Sequence, residues 1–91
     1  MYILVRRVLN DYDAWKPIVS QMDGLRQQHG SRGTTVYRSA SNPNEVLLVF
    51  DWDDDKSFRD YLERPDVQST LAATGTMMEI TEVSEVFHLA E

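Results

Sequence analysis

Few of the 91 residues carry groups that do chemistry at neutral pH, and they can be counted. His88 is the first. An imidazole titrates near neutrality, so it can take a proton from a substrate or return one. Tyr37 and Arg38 stand side by side, as do Arg6 and Arg7. Neighbours on a strand point to opposite faces, so one member of each pair faces a possible pocket and the other faces away. Tyr37 offers a hydroxyl, and the arginines offer a charged fork suited to a phenolic or carboxylate oxygen. Each also has a plainer use. His88 sits near the end of the last apolar segment, where it can be partly wet or packed at an interface. An arginine can pair with one of 15 Asp and Glu residues. His29 falls near the end of the first helical segment, where a positive charge suits the helix dipole.

The flat side chains Trp15, Phe50, Trp52, Phe58 and Tyr61, with Met22, Met77 and Met78, can line a pocket for a small aromatic ligand. In a chain this short they are also most of the core. The run Asp53-Asp54-Asp55 invites a metal, because carboxylates suit hard cations. Consecutive residues at a helix start diverge, however, and the helix dipole already accounts for them. No calcium-loop pattern, phosphate-cradling glycine loop or histidine-rich ligand set is present, and with no cysteine a thiolate site is impossible. No metal site is therefore expected.

The elements that position these residues follow from periodicity. Tyr2 to Leu9 reads as a strand with Tyr2, Leu4, Arg6 and Val8 on one face and Ile3, Val5, Arg7 and Leu9 on the other. Asn10 or Asp11 caps a helix whose stripe is Trp15, Ile18, Val19, Met22 and Leu25, with Pro17 near its start. Gly30 and Gly33 bracket a turn, Thr34 to Ala40 is a second strand, and Ser41-Asn-Pro-Asn44 turns the chain into a third. That third strand, EVLLVFDW, places Val46, Leu48, Phe50 and Trp52 on one face and Leu47 and Val49 on the other. A helix with Phe58, Tyr61 and Leu62 follows. Pro65 interrupts it, a second piece bearing Val67, Leu71 and Ala72 ends near Gly75, and Ile80 to Leu89 reads as a last strand. The order βαββαβ predicts an α+β, ferredoxin-like single domain over residues 1–91, with two helical layers on one face of a four-stranded antiparallel sheet.

Both faces of the central strands are apolar, and helices cover only one. The remaining face predicts a homodimer in which two sheets pack together. A net charge of -6 opposes nucleic acid and anionic membranes as partners. No apolar run approaches the ~18 residues of a membrane span, and no secretory leader is apparent. A cytoplasmic location is the expectation.

The spacing Asp11-Tyr-Asp-x-Trp15-Lys-Pro17, Arg26, Gly30-Ser-x-Gly33, Asn42-Pro-Asn-Glu-Val46 and Phe50-x-Trp52-Asp-Asp54 resembles small bacterial proteins of the antibiotic biosynthesis monooxygenase superfamily, close relatives of which are often labelled cyclases. The resemblance covers nearly the whole chain. It implies a dimeric α+β barrel with a pocket between sheet and helices in each subunit. It also implies oxidation of aromatic, polyketide-like or quinol substrates with no metal, flavin or other cofactor. Removing a proton from a phenol or enol would enrich the ring enough for reaction with O2. In that chemistry His88 is the candidate base, with Tyr37 and Arg7 as orienting groups. The substrate-binding set is Trp15, Phe50, Trp52, Phe58 and Tyr61. Haem degradation, known elsewhere in the superfamily, fits less well, since residues 54–74 contain no histidine. A dimeric accessory module that binds a small ligand without catalysis is the competing reading.

Overall fold

Two strands that bury every second residue form the centre of the sheet. The computed structural model describes residues 1–83. In β1 (Tyr2–Leu9), Ile3, Val5, Arg7 and Leu9 are buried, and in β3 (Glu45–Trp52) Val46, Leu48, Phe50 and Trp52 are buried. The strands pair antiparallel with Ile3 opposite Phe50, Val5 opposite Leu48 and Arg7 opposite Val46, so these residues share one face. β2 (Ser31–Arg38) and β4 (Gly75–Val83) flank them in the order β2-β3-β1-β4, all antiparallel. Helices α1 (Tyr12–Gln21), α2 (Asp23–Gln28), α3 (Asp55–Leu62) and α4 (Pro65–Thr74) connect them. This is the ferredoxin-like α+β arrangement, each crossover being a broken helix pair.

The helices begin where the acidic residues fall. Asp11 accepts hydrogen bonds from the backbone N–H groups of Asp13 (3.0 Å) and Ala14 (3.4 Å), and Asp54 accepts one from Ser57 (2.7 Å). Pro65 starts α4, where its missing N–H costs nothing. Pro17 differs from expectation. It lies inside α1, so the helix forgoes a hydrogen bond on its exposed side. The first helix also breaks at Met22, so the stripe from Trp15 to Leu25 is split between α1 and α2.

Two strand boundaries move as well. β2 starts three residues early because an irregularity between Ser31 and Gly33 absorbs the turn. β4 begins at Gly75 with no loop after α4 and pairs with β1 back to Tyr2; the part expected beyond Val83 lies outside the described residues. Ala72, expected in the α4 stripe, is exposed.

Trp15, Phe58, Tyr61 and Val67 press onto the buried sheet face and complete the core. Fully burying a side chain such as Phe58 or Val67 contributes about 1.5–3 kcal/mol. Among the described residues no helix covers the opposite sheet face, and Tyr2, Tyr37 and Leu47 are exposed there.

Candidate functional site

Between the helices and the buried sheet face lies a cavity of about 50 Å³, lined by apolar and aromatic side chains with Arg7, Arg26, Tyr61, Thr70 and Thr74 as its polar members. Space of this size holds a few waters or a group the size of a carboxylate. A ring-sized ligand requires the helix layer to part. A groove of about 280 Å³ between α1 and β2 adjoins it, and Val19 and Arg26 line both.

Arg7 comes from β1, on the face where an apolar residue is the rule, and is 4% exposed. Its Nη2 donates to the carbonyl of Leu71 (2.8 Å) and its Nη1 to the hydroxyl of Thr74 (3.1 Å), both in the last turn of α4. The Leu71 carbonyl also accepts the Gly75 backbone N–H, and the helix C-terminus carries partial negative charge, so a guanidinium suits it. The Nε–H is buried with no hydrogen-bond partner among the described residues. Burial lowers the Arg7 pKa from its ordinary value, yet a guanidinium keeps its proton in proteins. A bare buried donor costs about 1–3 kcal/mol, so this one is an opening for an acceptor.

Gly75 makes room for it. A Cβ there would stand 2.5 Å from Arg7 Nη2 and 2.8 Å from the Val8 carbonyl oxygen. The backbone at Gly75 is extended, so the demand is for space and not for unusual dihedrals.

Arg26 repeats the pattern from the other helix pair. It is 3% exposed, and its Nη2 donates to the Val19 carbonyl (2.7 Å) in the last turn of α1. Asp23 pairs with it at 3.5 Å, half in solvent, and the Arg26 Nε–H is again buried without a hydrogen-bond partner among the described residues. The guanidinium carbon lies 5.9 Å from the centre of the Phe50 ring. Burial raises the Tyr61 pKa, against the opposing pull of Arg26 beside its hydroxyl. Tyr61 is thus a neutral hydrogen-bond donor across the working pH range.

Trp15, Phe50, Phe58 and Tyr61 line the cavity, as does Arg7. Trp52 does not. It is fully buried behind the cavity, its indole N–H donates to the His29 carbonyl (2.9 Å), and its ring packs edge-on against Phe58 at 5.2 Å. Tyr37 stands on the open sheet face opposite Leu47 and is 58% exposed. Within one subunit it cannot meet Arg7, which points through the other face. Arg38 faces the helix side and stacks on Tyr12, 3.9 Å from the ring centre. His29 has its Nε2 3.3 Å from Arg64 Nη1 and does not line the cavity. His88 lies outside the described residues. The three aspartates each have structural work: Asp53 pairs with Arg32 (2.7 Å), Asp54 caps α3, and Asp55 pairs with Arg59 (2.9 Å). Among the described residues no group of three His, Cys, Asp or Glu is placed to hold a metal.

Sequence reasoning missed Arg26 as a site residue. The signal was its place four residues beyond Met22, on the buried stripe of Trp15, Val19 and Met22, where a charge is out of keeping.

The profile of the antibiotic biosynthesis monooxygenase family matches residues 12–73. The chain belongs to the antibiotic biosynthesis monooxygenase family. No curated protein matches it. Solved structures in the same family show the same fold. SnoaB from Streptomyces nogalater, described as a cofactor-independent oxygenase, is 16% identical with a TM-score of 0.72, over 93% of each chain. A candidate family member from Bordetella bronchiseptica is 17% identical with a TM-score of 0.76, over 94% of this chain and 96% of that one. Another from Deinococcus radiodurans is 19% identical with a TM-score of 0.65 over both full chains. At these identities the likeness establishes architecture, and the chemistry must come from the cavity.

Proposed function

We propose that this family member is an oxygenase working without metal or flavin on a small aromatic or polyketide-like compound with an ionisable hydroxyl. The observation that carries the reading is Arg7, a buried cation in an apolar cavity, held by two hydrogen bonds and with an Nε–H still open. A fixed donor in a dry site stabilises an oxyanion without reorganising when the charge develops. Deprotonated substrate oxygen at Arg7 would push electron density into the ring, and the electron-rich carbon would then react with O2.

For an anthrone the balance closes without another reagent. The ring CH2 becomes C=O, one oxygen atom of O2 becomes that carbonyl oxygen, and the other leaves as water with the two hydrogens. Among the described residues the cavity lining offers no histidine or carboxylate as base. The sequence offers His88 for that step. Tyr61 remains a neutral donor beside the substrate.

A cyclase-type reaction on a polyketide-like chain would share the enolate at Arg7 and consume no oxygen. A binding module would use the cavity without turnover. Oxygen uptake with a panel of hydroquinones and anthrones separates these outcomes. We expect uptake with at least one substrate, and a fall of about 10²–10³-fold in kcat for Arg7→Met. Uptake unchanged in that variant would remove Arg7 from the mechanism, and no uptake across the panel would overturn the oxygenase reading. The apolar open sheet face, with Tyr2, Tyr37 and Leu47 exposed, supports a homodimer through that face as the working form.

A further inference from the structure

Oxyanion stabilisation at Arg7 leaves Arg26 without a task. Arg26 is buried to the same degree, lines the same cavity and also has an unpartnered Nε–H. The two reach the cavity from different elements, β1 and α2. Arg7 is paired with Val46 on β3, whereas the Arg26 guanidinium carbon lies 5.9 Å from the ring centre of Phe50, four residues farther along that strand. Four residues of strand backbone span about 13 Å, and Leu48, between Val46 and Phe50, also lines the cavity. In a chain of net charge -6, Arg7 has no carboxylate among its hydrogen-bond partners in the described residues, and Asp23, 3.5 Å from Arg26, is half in solvent. Arg26 also borders the groove between α1 and β2, so a ligand entering there meets it first.

We infer that the substrate is an aromatic acid, with the ionisable hydroxyl at Arg7 and a carboxylate at Arg26. The inference rests on the cavity being the substrate site, as in the oxygenase reading, but not on reaction with oxygen. The carboxylate takes the open Nε–H of Arg26 and competes with Asp23 for the guanidinium, which makes Arg26 a specificity-determining residue. Neutral phenols of the same shape lack the group that Arg26 requires.

A matched pair of probes tests this, 1-naphthoate against 1-naphthamide, titrated into the full chain by calorimetry, with tryptophan fluorescence as a second readout. Naphthoate is expected to bind about tenfold tighter than the amide, the gain from one charged hydrogen bond. Arg26→Gln should abolish that preference with circular dichroism unchanged, and Arg26→Lys should restore part of it. Asp23→Asn, a change at a half-exposed position, should tighten naphthoate several-fold by removing the competitor, and it keeps the test decisive if Arg26→Gln fails to fold. Equal binding of acid and amide, no naphthoate binding at millimolar concentration, or a preference unaltered by Asp23→Asn would overturn the inference. Naphthoate binding without oxygen uptake on any substrate would remove the oxygenase reading and keep this one. Turnover of a neutral anthrone, undiminished in Arg26→Gln, would do the reverse.

Discussion

Arg6 and Arg7 are neighbours in the chain and opposites in the structure. Arg6 points to the open sheet face, has a side chain 54% exposed, and forms ion pairs with Glu45 and, at 3.9 Å, with Glu79. Arg7 points to the helix face, is nearly sealed, and among the described residues bonds to a carbonyl and a hydroxyl. Solvated ion pairs contribute about 0–1 kcal/mol, so Arg6 is an ordinary surface charge. A buried cation with an unused donor is expensive to keep, and a chain that keeps two of them has a use for them. One residue of register separates the two situations, because successive residues of a strand face opposite ways.

The sharpest way to break this contrast is to crowd Arg7 without touching it. In Gly75→Ala the new methyl would meet both the guanidinium and the Val8 carbonyl. The carbonyl belongs to the central strand and cannot swing away, so the guanidinium must move or the β1–β4 pairing must shift. Overpacking of this kind costs about 1–3 kcal/mol. We expect that loss in chemical denaturation, together with a fall in turnover close to that of Arg7→Met. Wild-type stability and turnover in Gly75→Ala would show that the Arg7 position is not constrained as described.

The open face is broken differently. If a second copy covers it, light scattering gives twice the chain mass at micromolar concentration. Leu47→Asp should then shift the protein to monomer, because a carboxylate at a sheet-to-sheet interface loses its hydration without a partner. A wild-type monomer at that concentration would overturn the dimer. Leu47 is the suitable position because it is an exposed apolar residue between Tyr37 on β2 and Arg6 on β1, and no core residue depends on it.

How much of this was legible in the sequence follows from the same geometry. The alternation in YILVRRVL grouped Ile3, Val5 and Arg7, and that in EVLLVFDW grouped Val46, Leu48 and Phe50; pairing in the sheet brings the two groups to one face. Capped helix starts at Asn10 or Asp11 and within Asp53–Asp55 were readable because such residues before a helix have one dominant use, and the structure picks out Asp11 and Asp54. The break at Met22 was not. Arg26 reaches back across it to the Val19 carbonyl, a contact between residues seven apart that no local propensity encodes. Tyr37 and Trp52 show the other limit. Their types suit a binding site, but register decides which face a tyrosine meets, and packing depth decides whether a tryptophan lines a cavity or backs it. The role of Gly75 was hidden for a like reason. Its sequence position suggests a helix end, whereas its need is space for a side chain that arrives from a strand 68 residues earlier in the chain.

The smallest expected effect concerns a charge on neither sheet face, and it separates scaffold from site. The Asp54 carboxylate accepts the Ser57 backbone N–H, and that hydrogen bond holds its pKa below the ordinary carboxylate value. A group whose folded pKa is depressed stabilises the fold fully above its unfolded value and loses that contribution as pH falls through the folded one. Asp54→Ala should therefore lower the melting midpoint at pH 7, and the gap to wild type should close as pH falls below about 4. A gap that persisted undiminished at lower pH would mean that the lost cap is not electrostatic in origin. Naphthoate binding should be unaltered at pH 7, because Asp54 caps α3 from outside the cavity lining. Arg7→Met predicts the reverse pairing, lost turnover with stability held or raised, since removing a buried charge of this kind removes its desolvation cost as well.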